Sequence, residues 1–133
     1  MFLDTTFCVD LMREQRRGVP GPASAKLGQL GAAPLSLPIF VLCELQAGAR
    51  LSKNPQHELR RIEWLAEMTE VVLPQRGFEV AYGEAEAGLR RQGVPIGTMD
   101  LLIGITAKSM GMPLLTRDAE HFRRIPGLVV ESY

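Results

Sequence analysis

Charge of one sign, long apolar runs and paired thiols are all in short supply in this chain of 133 residues. Fifteen Lys and Arg balance fifteen Asp and Glu, so the formal charge is zero. Bulk charge therefore announces no nucleic-acid partner, and any anion-binding site must be built locally. No apolar run approaches the roughly 18 residues that suggest a membrane span, so no membrane association is expected. Asp4 and Asp10 do not suit a secretory signal, which opens with basic residues, and a cytoplasmic protein is expected. The two cysteines, Cys8 and Cys43, lie in apolar runs without paired-ligand spacing. Both read as buried, reduced thiols. His57 and His121, the two histidines, are too isolated to form a zinc set and read as surface residues. No Ser-His or Cys-His arrangement suggests covalent catalysis.

What is present is the composition of a globular protein, 46% hydrophobic and 23% charged. That is enough for one independent core at this length, so a single domain over residues 1–133 is expected. There are no internal repeats and no low-complexity segments.

The chain opens with Met1-Phe2-Leu3-Asp4-Thr5-Thr6, an apolar run stopped by an acid, which reads as a short buried strand. Phe7, Leu11 and Met12 then recur at helical spacing, with Thr5 or Thr6 available as the helix cap. Glycines and prolines between residues 18 and 22 break this helix, and residues 23–32 form a modest second one. Leu35-Ser36-Leu37 is a second strand. Pro38 suits the first turn of an apolar helix that runs to about Ser52. Glu44 is the only charge in that helix before Arg50, and a lone carboxylate there is costly to bury uncompensated.

Residues 55–69 form another helix. Its apolar side chains, Trp64 and Met68 among them, cover an arc of roughly 220° at 100° per residue, wider than one core face needs. Trp64 and Met68 are therefore candidates to face a partner, the alternative being cover from a neighbouring helix. A strand at 71–73, a polar helix at 77–92 and an apolar, buried helix from Thr98 follow. In that last helix Thr98 is a plausible cap and Asp100 lies in the first turn, where the helix dipole favours an acid. Leu114-Leu115-Thr116 is a fourth strand with Arg117 and Asp118 turning off its end, and Leu128-Val129-Val130 is a fifth.

Short apolar strands separated by helices imply a parallel sheet covered on both faces. The carboxyl ends of such strands share one edge, where ligands bind. Asp4 and Asp118 each follow a strand, Asp100 opens the helix feeding the fourth strand, and Glu44 lies in the helix after the second. Each acid alone could be a cap or a dipole partner. Together, without cationic neighbours, they would repel unless one takes a proton or a cation fills the gap. All-oxygen ligands select Mg²⁺ or Mn²⁺ over zinc. Such an ion suits phosphodiester hydrolysis, because it activates water and neutralises phosphoryl charge.

These residues resemble those of the PIN-domain ribonucleases, specifically the VapC-type toxins of toxin–antitoxin pairs. The resemblance covers essentially the whole chain. Its marks are Leu3-Asp4-Thr5-Thr6, then Leu42-Cys43-Glu44-Leu45 with Gly48, then Pro95 through Ile103. Leu114-Leu115-Thr116-Arg117-Asp118, with Phe122 and Ile125-Pro126-Gly127-Leu128, completes the set. The resemblance implies a three-layer α/β/α fold around a five-stranded parallel sheet and Mg²⁺-dependent cleavage of RNA. It also implies a small antitoxin partner and a homodimer. It carries the family's acids onto Asp4, Glu44, Asp100 and Asp118, with Thr116 as a supporting hydroxyl. Thr6 stands where the family often has Asn, and its hydroxyl can hold a water or a phosphate oxygen. On this reading Asp4 and Asp100 hold the metal, while Glu44 and Asp118 complete its shell or orient the attacking water.

Two other functions compete. A phospho-receiver module on a similar sheet needs an acceptor acid after the third strand and a Lys after the last one. Pro74-Gln75 follow Leu73 here, and no Lys lies beyond Lys108. A metal-dependent phosphatase, or a non-catalytic module that keeps only the fold, would retain the sheet without cutting RNA.

Overall fold

The computed structural model describes residues 1–133. Its strands are β1 (Phe2–Leu3), β2 (Ser36–Pro38), β3 (Glu70–Val72), β4 (Leu114–Leu115) and β5 (Val130–Glu131). Two helices, α1 (Thr5–Arg17) and α2 (Pro22–Leu30), join β1 to β2, and α3 (Ile39–Arg50) and α4 (Pro55–Glu67) join β2 to β3. The return to β4 passes through α5 (Phe78–Arg91) and α6 (Thr98–Ser109), and α7 (Ala119–Phe122) precedes β5. The strands are short because their apolar runs are cut off early, by Asp4 after β1, Pro38 in β2, Pro74 beyond β3 and Thr116 after β4.

All pairings are parallel, in the order β3-β2-β1-β4-β5. Phe2, Leu3, Leu37, Leu114 and Leu115 are each 1% exposed or less. That near-complete burial is what cover on both faces requires. The order steps away from β1 in one direction to β2 and β3, then in the other to β4 and β5. With right-handed crossovers, the two sets of connections place their helices on opposite faces. Among the helices, α1 packs on α2 and α3, α3 packs on α4, and α6 packs on α5 and α7, while α3 also meets α6. The three-layer α/β/α arrangement expected from the sequence is therefore present. The reversal of direction falls between β1 and β4, and a crevice opens at such a point in parallel sheets. No helix is long and apolar enough to cross a membrane.

Local chemistry sets the ends of the first helices. Asp4 itself caps α1, accepting from the Thr6 N–H at 3.4 Å, so neither Thr5 nor Thr6 is the cap. Gly18 ends α1 in the left-handed region at φ 65°, where its N–H reaches the Gln15 and Glu14 carbonyls. Glu14 then turns across to the start of α2. Its carboxylate accepts from the N–H groups of Gly21, Ala23 and Ser24 and from the Ser24 hydroxyl. Desolvation pushes its pKa up, but these four hydrogen bonds outweigh it and hold the carboxyl below the usual range. A Cβ on Gly21 would lie 2.8 Å from Glu14 Cδ, so a side chain there would displace the cap.

Three expectations need correction. Gly97, not Thr98, occupies the cap position of α6, and Thr98 is the first helical residue. Cys8 is buried, but Cys43 is exposed, because it lies on the outer side of α3 in a groove with Ile39, Leu42 and Ala66. On α4, Ile62 and Leu65 are buried, Met68 packs partly against the core, and Trp64 stays 37% exposed. The wide apolar arc therefore divides, and Trp64 alone of the pair projects outward.

Candidate active site

The register of the central strands builds the site. Phe2 pairs with Leu114 and Leu3 with Leu115, and the Asp4 N–H donates to the Leu115 carbonyl at 3.0 Å. The next residues along, Asp4 and Thr116, are thereby set side by side at the carboxyl edge. Both are buried, Asp4 at 2% and Thr116 at 0% exposure.

Asp4 Oδ2 accepts from the Thr6 hydroxyl at 2.7 Å and from the Thr116 hydroxyl at 2.7 Å. A hydroxyl has one proton to donate, so the 3.2 Å approach of the two threonine oxygens adds no third bond. Each threonine oxygen also accepts from the chain beyond β4: Thr6 from the Arg117 N–H at 3.2 Å and Thr116 from the Asp118 N–H at 2.9 Å. Thr6 and Thr116 thus lock the end of β1 to the turn that carries Asp118. All three bonds to the Asp4 carboxylate land on Oδ2, and Oδ1 has no protein partner.

Asp100 lies in the first turn of α6. Desolvation is the largest cause of a raised pKa there, and the charges of Asp4 and Asp118 raise it further, while His121 opposes them. The three aspartates therefore share one electrostatic neighbourhood. Asp118 occupies the cap position of α7 but makes no capping bond with its side chain, which leaves its carboxylate free. The guanidinium of neighbouring Arg117 goes instead to Asp10, at 2.7 Å.

Glu44 stands apart from this trio. Its Oε2 accepts from the Thr5 hydroxyl at 2.5 Å, which is the compensation its apolar helix requires. It lines a groove between α1 and α3 with Thr5, Arg13 and Arg16. The threonine pair thus ties Asp4 to the turn that carries Asp118, and Asp100 lies within reach of both charges. Glu44, on α3, bonds Thr5, the residue after Asp4.

His121 is the residue that sequence reasoning missed. It is not a free surface side chain, since its Nε2 lies 3.1 Å from Asp100 Oδ2 with the ring only 24% exposed. That nitrogen is buried and has no hydrogen bond of good geometry. The available signal was its spacing: three residues after Asp118 on a short helix, it returns to the same edge. Cys8, one turn of α1 beyond Asp4, is fully buried, and burial and then the charge of Asp4 push its thiol pKa up.

The donor set suits a hard cation. It is entirely carboxylate and hydroxyl oxygen, and it includes a free Asp4 oxygen and a free Asp118 carboxylate. No three His, Cys, Asp or Glu side chains are arranged to enclose an ion. Mg²⁺ does not need such a cage, since it keeps several waters and uses one or two carboxylates.

An acid cluster at the switch point of a five-stranded parallel sheet defines a class of α/β protein. Residues 1–128 match the PIN domain, and the chain belongs to the PIN-domain family. It is 32% identical to Ribonuclease VapC1 of Haemophilus influenzae (strain R2866) over 126 residues, 95% of this chain and 92% of that protein. It is 29% identical to the tRNA(fMet)-specific endonuclease VapC of Shigella flexneri over 132 residues, 98% of this chain and 96% of that one. Among solved structures, VapBC2 from Rickettsia felis, bound to a DNA fragment from its promoter, superposes with a TM-score of 0.88 at 27% identity. That match covers 98% of this chain and 96% of the other.

Proposed function

We propose that the chain is a Mg²⁺-dependent endoribonuclease, the toxin half of a toxin–antitoxin pair acting in the cytoplasm. The observation that carries this reading is the Asp4, Asp100 and Asp118 cluster around the Thr6 and Thr116 hydroxyls, at the crevice between β1 and β4. Relatives named as ribonucleases along nearly the whole chain support it.

Asp4 and Asp100 would hold the ion, with Mn²⁺ able to replace Mg²⁺. When bound, it would lower the pKa of a water and offset charge on the phosphoryl oxygens. Thr6 and Thr116 restrain Asp4 through Oδ2, which directs Oδ1 to the opening. His121 stands 3.1 Å from Asp100 Oδ2 and offsets its charge when protonated. Asp118, free of partners, accepts the proton of the attacking water as the bond from phosphorus to the leaving ribose oxygen breaks. Glu44, held by Thr5, completes the acidic wall on the α3 side and orients water there.

A small antitoxin is the expected protein partner, in keeping with the VapBC assemblies among the solved relatives. Trp64 is the exposed aromatic available to anchor it or a second copy of the chain, and aromatic anchors dominate interface energies. Met68 supports that anchor from the partly buried side.

The purified protein, offered single-stranded RNA and a chromogenic phosphate ester in Mg²⁺ and in EDTA, tests the reading. Internal cleavage of RNA only in Mg²⁺, with the ester untouched, is expected. Hydrolysis of the ester with intact RNA would make it a metal-dependent phosphatase, and no reaction with either would leave a non-catalytic module.

A further inference from the structure

A second cleft, of about 620 Å³, starts at Arg117, the residue before Asp118, and runs along α1 away from the acid cluster. One wall is α1, where Asp10, Arg13, Glu14 and Arg17 share a face at spacings of three and four residues. The other wall is the Val19–Pro22 turn, and Arg117 and Tyr133 close the end nearest the acids.

Both acids of this cleft are engaged within the protein. Asp10 takes Arg13 Nη1 on Oδ1 at 3.2 Å, with Arg117 Nη1 at 2.7 Å and the Tyr133 hydroxyl at 2.9 Å on Oδ2. Glu14 is committed to the start of α2 through four hydrogen bonds. The arginines are only partly engaged. The side chains of Arg13 and Arg117 remain 44% and 57% exposed, and a guanidinium carries five donors in a fork that fits phosphate. Arg17 is exposed and makes no ion pair. Asp10 thus acts as a post that holds Arg13 and Arg117 over the cleft with donors to spare.

The cleft also connects to the site through the chain itself. The Arg117 N–H donates to the Thr6 hydroxyl, which donates to Asp4. A nucleic-acid strand with one phosphate at Asp4 and Asp100 therefore has a cationic path for its neighbouring phosphates next to an otherwise acidic centre. Resting on the nuclease reading above, we propose that Arg13, Arg17 and Arg117 bind the phosphate backbone of single-stranded RNA beside the scissile bond. The contacts are to phosphate, so they position the strand without reading its bases. Such basic grooves are how proteins track single strands.

The test is binding of a labelled single-stranded RNA in EDTA, where no cleavage occurs, across a range of salt concentrations. Arg17→Gln removes a guanidinium that holds nothing in the fold, and Arg13→Gln removes one that bonds only Asp10. Each should weaken binding and reduce the slope of log affinity against log salt by about 0.7, the value for one phosphate contact on a single strand. Arg60→Gln, on the exposed side of α4, should leave the slope unchanged. Slopes equal to the parent's in both cleft variants would overturn the proposal, and so would loss of antitoxin binding with RNA binding intact. Mg²⁺-dependent cleavage by the parent, measured alongside, separates the two readings. Cleavage with unaltered slopes rejects the cleft alone, whereas a parent that neither binds nor cuts RNA rejects both.

Discussion

Asp4 does two things at once. It caps α1 through Oδ2, as a purely structural reading of the residue requires, and it keeps Oδ1 free for a ligand. Capping therefore leaves Oδ1 without a protein partner, and the cap role does not exclude the functional one proposed for Asp4. Thr116 supplies the most direct test of the cradle. Thr116→Val keeps the shape but removes a hydroxyl that bonds Asp4 and the Asp118 N–H. It should cost about 1–3 kcal/mol by denaturant unfolding and about 10- to 100-fold in RNA cleavage, the usual range for a residue that orients a ligand. Thr116→Ser should restore most of both. Asp100 makes a prediction in pH. Its folded pKa is raised, chiefly by desolvation and then by Asp4 and Asp118, with His121 opposing. A carboxyl raised on folding favours the fold when protonated and costs stability as pH climbs from its ordinary value of about 3.9 through the raised one. Asp100→Asn should therefore melt higher than the parent at neutral pH in EDTA. That advantage should disappear below the ordinary carboxylate range. A helix-dipole role alone predicts a lower melting temperature at neutral pH. The spacing of His121 from Asp118 places it at the same edge, but its pairing with Asp100 follows only from the packing of α7 against α6.

At the level of elements, most of the chain was legible, and the errors share one cause. The first four strands lie within about a residue of their expected places, because short apolar runs end at an acid, a proline or a hydroxyl whatever the fold. The fifth begins at Val130, two residues later than expected. Cys43 was misplaced, and the cover of Met68 was left open, because helical periodicity gives the apolar positions without saying which neighbour covers them. Cys43 shares an apolar run with buried Val41 and Leu45 yet faces outward, while Met68 turns partly inward. Trp64 keeps the exposure expected of it. Trp64→Ala should lower stability by about 1 kcal/mol or less, while weakening capture by a co-expressed antitoxin. A large drop in melting temperature with unchanged affinity would make Trp64 a core residue instead. The contact of α6 with the segment after β4 depends on Gly104. A Cβ there would overlap Ile125 and crowd Leu128 and Phe122, and Ile125 and Phe122 are buried with no room to retreat. Gly104→Val should cost roughly 1–3 kcal/mol by overpacking. It should also disturb His121, which neighbours Phe122.

For the whole molecule, the parallel sheet could be anticipated from alternating strands and helices, but its order could not. Only the register that pairs β1 with β4 shows why Asp4 and Asp118, over a hundred positions apart, close on one point. Glu44 stays beside Thr5 because β2 lies on the other flank of β1. Aspartates that share one electrostatic neighbourhood repel one another unless a proton or a cation intervenes. Mg²⁺ that binds only the folded protein should raise the melting temperature. At a hundredfold excess over Kd the gain is about 2.7 kcal/mol, which is a few degrees at this size. On the proposed reading, the carboxylate at the end of β1 drives cleavage of RNA. Cleavage of a single-stranded RNA in Mg²⁺ by the parent and by Asp4→Asn, with the fold of both checked by circular dichroism, addresses it most directly. The parent should cut in Mg²⁺ and not in EDTA, and the folded variant should lose activity by orders of magnitude. Undiminished Mg²⁺-dependent cleavage by folded Asp4→Asn would contradict the claim.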